Sequence, residues 1–218
     1  MPQAAPDGHL ALPGNGNGRA VLVLHAWWGL NATLRGVCAR LADAGFVAFA
    51  PDLYHGQVAD TIAGAEALAR ALHGRAPQAQ AEVVAAARFL AERADRADAG
   101  LAVIGFSLGA AYALELACAE PARIDAVVLF YGTGGGDPKR SRAAYLGHFA
   151  ASDPYEPQAE VDRLEAALAD AGRSVTFHRY PGTGHWFFEP DRTQAFNPQA
   201  AHLAWQRTLA FLDACAAP

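Results

Sequence analysis

The stretch that most limits what this chain can become is Leu101 to Leu116, LAVIGFSLGAAYALEL. Four consecutive apolar residues, Leu101 to Ile104, suit a strand covered on both faces of a parallel sheet. From Ala110 to Leu116 the residues are good helix formers. Gly105-Phe106-Ser107-Leu108-Gly109 joins the two, so strand must turn into helix within one or two residues, with Ser107 held in strained backbone at the strand's carboxyl end. Gly105 and Gly109 have no side chains to keep strand and helix apart. A serine so placed reads as a nucleophile. The plainer alternative is a serine that caps the following helix, a position serine favours.

The flanking sequence supplies the sheet such a turn needs. Gly8 to Pro13 suits a short edge strand, and Arg19 to His25 (RAVLVLH) has a buried-strand pattern ending in the loop His25-Ala26-Trp27-Trp28-Gly29-Leu30-Asn31. Thr33 to Ala44 has helical spacing at Leu34, Val37, Cys38 and Leu41 and is closed by Gly45. Phe46 to Ala50 is the next strand, stopped by Pro51-Asp52-Leu53-Tyr54. Helical patterns follow over Val58 to Leu72 and Ala79 to Arg93. Beyond the Ser107 turn come strands at Ile124 to Tyr131, Ala143 to Ala150 and Ser174 to Tyr180, a helix at Val161 to Leu168, and a final helix from Pro198 to Leu212. Strands alternating with helices predict a doubly wound, mostly parallel α/β sheet whose functional loops lie at the carboxyl ends of the strands. With 218 residues, 52% of them apolar, the chain suits one domain spanning 1–218.

Composition narrows the function classes. A formal charge of −5 with no Lys/Arg cluster argues against a nucleic-acid partner. Cys38, Cys118 and Cys215 are an odd, widely spaced set, which predicts buried thiols in a reducing compartment and neither a disulfide framework nor a zinc site. The start MPQAAPDGHLALPG lacks the charged head and apolar core of a signal peptide, and no apolar run is long enough to span a membrane. The expectation is a cytoplasmic protein.

Ser107, Asp153 and His185 all follow predicted strands, in the chain order nucleophile, acid, histidine that belongs to α/β-hydrolases. A serine hydroxyl is hardly ionised at neutral pH and needs an imidazole to take its proton, and a carboxylate to hold that imidazole's tautomer. Asp137, in the GGGDP loop, is the rival acid. Read alone, His185 is also a plausible turn residue and Asp153 a plausible cap before Pro154.

HAWWGLN at His25, PDLY at Pro51, GFSLG at Gly105, YG at Tyr131, HFAASD at His148, PGTGH at Pro181 and RTLAFL at Arg207 resemble, in order, the dienelactone hydrolase family. The resemblance implies the α/β-hydrolase fold without a large lid domain, and hydrolysis of small esters or lactones through an acyl-enzyme with no metal or other cofactor. Carried over by position, Ser107, Asp153 and His185 are its triad, and the backbone N–H groups of Trp27 and Leu108 its oxyanion hole. Two departures stand out. The family's dienelactone enzymes carry cysteine where Ser107 stands and glutamate where Ala26 stands, and they hold the substrate carboxylate with arginines. One of those arginines corresponds to Glu189 here, and the other has no clear counterpart, Arg70 being the only arginine in its helix. A carboxylate meeting Glu189 would be disfavoured, which predicts an uncharged substrate.

The aromatic residues near these loops, Trp27, Trp28, Tyr54, Tyr131, Trp186 and Phe187, are expected to line an apolar substrate pocket, though burial in the core is the commoner fate of such side chains. His25 is expected to brace the oxyanion loop, and His55 and His148 to be structural or surface residues. The sequence therefore predicts a serine carboxylic-ester hydrolase acting on a small-molecule ester or lactone, as a monomer or small homo-oligomer. A thioesterase or other acyl hydrolase would use the same groups. A non-catalytic binding module on the same fold is the alternative of another class.

Overall fold

The computed structural model describes residues 6–93 and 100–216. Its sheet has seven strands: β1 (Gly8–Ala11), β2 (Ala20–Leu24), β3 (Val47–Pro51), β4 (Leu101–Phe106), β5 (Ile124–Phe130), β6 (Ala144–Ala150) and β7 (Val175–Tyr180). They lie in the order β1-β3-β2-β4-β5-β6-β7. Only the edge strand β1 runs antiparallel to its neighbour. The α-helices are α1 (Ala32–Asp43), α2 (Ile62–His73), α3 (Ala76–Ala91), α4 (Leu108–Ala119), α5 (Gln158–Asp170) and α6 (Pro198–Ala216).

The central strands are almost entirely apolar because both faces are covered, the exception being Asp125 near the start of β5. In β2, Leu22 and Leu24 belong to the core that also holds residues of α3, α4 and α5, while Val21 and Val23 belong to the core that holds residues of α1 and α6. The strand alternation thus feeds two cores, one on each face. This is the α/β-hydrolase arrangement, with β4 in the middle of the sheet and its carboxyl end open to loops from both sides.

Three helix starts differ from the sequence reading by three or more residues, the α5 helix expected from Val161 beginning at Gln158. The helix expected from Val58 begins at Ile62, because Thr61 caps it by accepting the Gly64 N–H at 3.2 Å, and Ala59 N–H is already donated to Trp28 O at 3.0 Å. The helix expected from Ala79 begins at Ala76, since Pro77 sits in the first turn, where its missing N–H costs nothing. The expectation of no signal peptide rests partly on residues 1–5, which lie outside the described residues. Among the described residues no helix is long and apolar enough to cross a membrane.

Close approach between α4 and the sheet is enforced by glycine. A Cβ on Gly105 would sit 2.6 Å from Ala110 Cα, and one on Gly109 would sit 2.7 Å from His25 O. Gly36, inside α1, faces open space. Gly109→Ala should therefore lower stability by roughly 1–3 kcal/mol through overpacking. Gly36→Ala should raise it by about 0.5–1 kcal/mol. Urea unfolding of both variants checks this, and equal effects of one sign would contradict the close-packing account.

Candidate active site

Ser107 lies between β4 and α4 with φ +50° and ψ −113°, a conformation rarely adopted by a residue with a side chain. It is held there by its own backbone: its N–H donates to Phe130 O and its carbonyl accepts from Ala110 N–H, each at 2.8 Å. The hydroxyl stands 3.0 Å from His185 Nε2. His185, in the loop after β7, has Nδ1 2.7 Å from Asp153 Oδ2. Both side chains are almost fully buried, at 4% and 1% exposure. Asp153 is pinned in turn, because its Oδ1 accepts the N–H groups of Tyr155 at 2.9 Å and Glu156 at 3.1 Å. A carboxylate on Nδ1 sets that nitrogen as the donor and leaves Nε2 free to accept the serine proton. Asp137, the rival acid, accepts Lys139 N–H at 3.1 Å in a one-turn 3-10 segment and makes no bond to His185.

The amides of Trp27 and Leu108 donate to no acceptor among the described residues, Leu108 N–H being one of the orphan donors at the start of α4. His25 braces the Trp27 loop: its Nδ1 lies 2.7 Å from Ala26 O, and its Nε2 accepts Leu53 N–H at 3.2 Å. This fixes one neutral tautomer, and full burial lowers the pKa of the ring, which keeps it uncharged. His148 is also a core residue, bonded to the hydroxyls of Tyr180 and Thr208.

A cavity of about 550 Å³ opens onto Ser107 and Leu108 between α2 and α4. Trp27, Ala69, Ala111 and Tyr112 give it apolar walls, and Glu66, Arg70, His73 and Glu115 line it with polar groups. Of the aromatic residues expected at a pocket, only Trp27 lines it. Tyr131 and Phe187 are completely buried, Trp28 and Tyr54 nearly so, and all four belong to the two cores. Trp186 is half-buried and packs on Trp27 and Trp28, with ring centroids 5.8 and 5.3 Å away. Large rings beside a buried histidine are used here to support the loop. The polar lining was legible as Glu66, Arg70 and His73, spaced i, i+4, i+7 on one face of α2.

Comparison with known proteins agrees in extent with this architecture. The sequence profile of the dienelactone hydrolase family matches residues 7–216. The chain belongs to the dienelactone hydrolase family. It is a carboxylic-ester hydrolase by that membership. Among its relatives, Protein usf of Aquifex pyrophilus is 32% identical over 211 residues, covering 94% of this chain and 91% of that protein. A carboxymethylenebutenolidase of Pseudomonas sp. (strain P51) is 32% identical over 217 residues, covering 94% and 88%. A solved dienelactone hydrolase-like promiscuous phosphotriesterase from metagenomic libraries shares the fold, with TM-score 0.82 at 23% identity over 93% of this chain and 88% of that one.

Against that family background the position of Glu189 requires a correction. Expected to confront substrate where relatives place an arginine, it is instead completely buried. The Tyr131 hydroxyl donates to its Oε1 at 2.6 Å, and Oε2 has no partner among the described residues. Burial pushes its pKa up to about 8. The tyrosine ring lies 4.9 Å from the His185 ring, so the Glu189–Tyr131 pair supports the histidine loop from below. The charged groups that line the cavity beside Ser107 come from α2 and α4.

A carboxyl group with a raised pKa in the folded state binds a proton that the unfolded chain has already released above its ordinary value. Its contribution to stability is present in full below about 4.5 and is lost as pH rises to about 8. Glu189→Gln should remove this descent, so that wild type loses stability relative to the variant between those pH values. Denaturant midpoints of the two proteins across pH 4.5 to 8.5 test it. A constant difference would show that Glu189 is ionised when folded.

Proposed function

We propose that this protein hydrolyses small to medium uncharged carboxylic esters or lactones through an acyl-enzyme on Ser107. The observation that carries the reading is the unbroken chain of hydrogen-bonding distances from Ser107 through His185 to Asp153 at the wall of a cavity flanked by two unpaired amides. Ser107 Oγ attacks the carbonyl carbon while its proton passes to His185 Nε2. The developing oxyanion is met by the N–H groups of Trp27 and Leu108, donors already fixed before the reaction. His185 then gives the proton to the departing alcohol oxygen as the C–O bond breaks. Water repeats the sequence: it loses a proton to His185, adds to the acyl carbon, and Ser107 leaves and recovers its proton. Asp153 holds the imidazole and stabilises its charged form.

An uncharged acyl group suits the cavity because two carboxylates, Glu66 and Glu115, accompany the single guanidinium of Arg70 along its lining. The reading extends to one catalytic domain working in the cytoplasm as a monomer or small homo-oligomer, without a nucleic-acid partner.

Steady-state kinetics with a butanoate ester and its terminally carboxylated counterpart test both parts. Ser107→Ala should lose activity about a millionfold, and Asp153→Asn about ten-thousandfold by misplacing the imidazole proton. Asp137→Asn should stay close to wild type, and wild type should prefer the uncharged ester. Near-normal turnover by Asp153→Asn would overturn the acid assignment. A preference for the carboxylated ester would overturn the substrate class.

A further inference from the structure

The cavity between α2 and α4 reaches Ser107 and Leu108, yet its lining includes neither His185, Trp186 nor Tyr155. That absence is informative, because the imidazole must deliver its proton to the leaving oxygen. The alcohol half of an ester therefore lies on the His185 side of the nucleophile, and the cavity, whose lining beyond Ser107 comes from Trp27 and the α2, α3 and α4 residues, receives the acyl half. On the His185 side stands Tyr155, an aromatic residue with 45% of its surface exposed. Its ring centroid is 5.0 Å from His185, 5.1 Å from Trp186 and 5.7 Å from Trp27. Its backbone is fixed by the N–H it donates to Asp153, so the ring rides on the loop that also carries the triad's acid.

We propose that Tyr155 is the binding platform for the leaving alcohol, with the α2–α4 cavity as the acyl site, so that the enzyme favours esters of flat aryl alcohols. This deepens the acyl-enzyme reading above and rests on it. A half-exposed ring already held by tilted packing on His185 and Trp186 and an edge contact with Trp27 offers an aryl group a stacking partner without reorganisation. A short alkyl alcohol would gain little from it. Acyl length, in contrast, should be sensed by Ala69, Ala111 and Tyr112 in the cavity walls.

The test uses the full-length protein and four esters: the methyl and 2-naphthyl esters of acetate and of butanoate. The readout is a ratio of kcat/KM values, in which damage common to all substrates cancels. Tyr155→Ala should lower the naphthyl-to-methyl ratio about tenfold at both acyl lengths, the size of a lost aromatic pair. Tyr155→Phe should retain the ratio, and Tyr155→Leu should behave as Tyr155→Ala. Ala111→Phe should lower the butanoate-to-acetate ratio with either alcohol. A naphthyl-to-methyl ratio unchanged in Tyr155→Ala, or moved by Ala111→Phe instead, overturns the division of the site while leaving the hydrolase reading standing. Wild-type protein that turns over none of the four esters overturns both.

Discussion

The structure depends on how closely the first turn of α4 is pressed onto the ends of β2 and β4. Gly105 and Gly109 permit that approach, and a Cβ on Gly132 would likewise come within 2.6 Å of Ser107 O and Ala110 Cβ. With no side chains between helix and sheet, the chain must reverse within a single residue, and Ser107 takes the strained conformation that results. Strain of this kind costs on the order of 1–3 kcal/mol and persists only where surrounding contacts over-determine it. Here those contacts are the two backbone hydrogen bonds of Ser107 and the packing of α4 on both neighbours.

The same trade of local strain for placement recurs around the site. Tyr131 and Trp186 also have positive φ, at 39° and 64°, Tyr131 directly after β5 and Trp186 directly after His185. Tyr131 sends its hydroxyl to Glu189 and lays its ring against His185, so a buried carboxyl group fastens the histidine loop to β5. His25 does the equivalent for the Trp27 loop by tying it to Leu53. The reacting groups thus sit on loops, and each loop is anchored by a polar contact that water cannot reach. Hydrogen bonds in such dry surroundings are strong and costly to leave incomplete, which favours one placement of these loops. The cavity wall built from α2 is different in kind, carrying exposed charges on a helix face.

Much of this was legible in the sequence, for physical reasons that can be named. Runs such as Val21 to Leu24 and Leu101 to Ile104 have no other use than a strand covered twice, and the order Ser107, Asp153, His185 follows from strand ends. The polar side chains on α2 that line the cavity follow helical spacing, but which aromatic side chains reach it was not legible. Periodicity says which residues are apolar and does not say which face of a loop they take, so Tyr131 and Phe187 looked like pocket walls and are core. Glu189 misled for a related reason: a position matched along the chain does not fix where its side chain goes, and a carboxyl group one turn beyond His185 was able to fold inward against Tyr131. Tyr155 was invisible because nothing in the local pattern marks an aromatic residue two positions after the acid; only the backbone bond to Asp153 places it over the imidazole.

The central claim is that Ser107 is the group that becomes covalently acylated. Intact-mass measurement after treatment with a small fluorophosphonate, followed by peptide mapping, tests it directly. The account predicts one adduct per chain, located on Ser107 and lost in Ser107→Ala. Folded wild-type protein that forms no adduct, or carries it on another residue, would contradict the account.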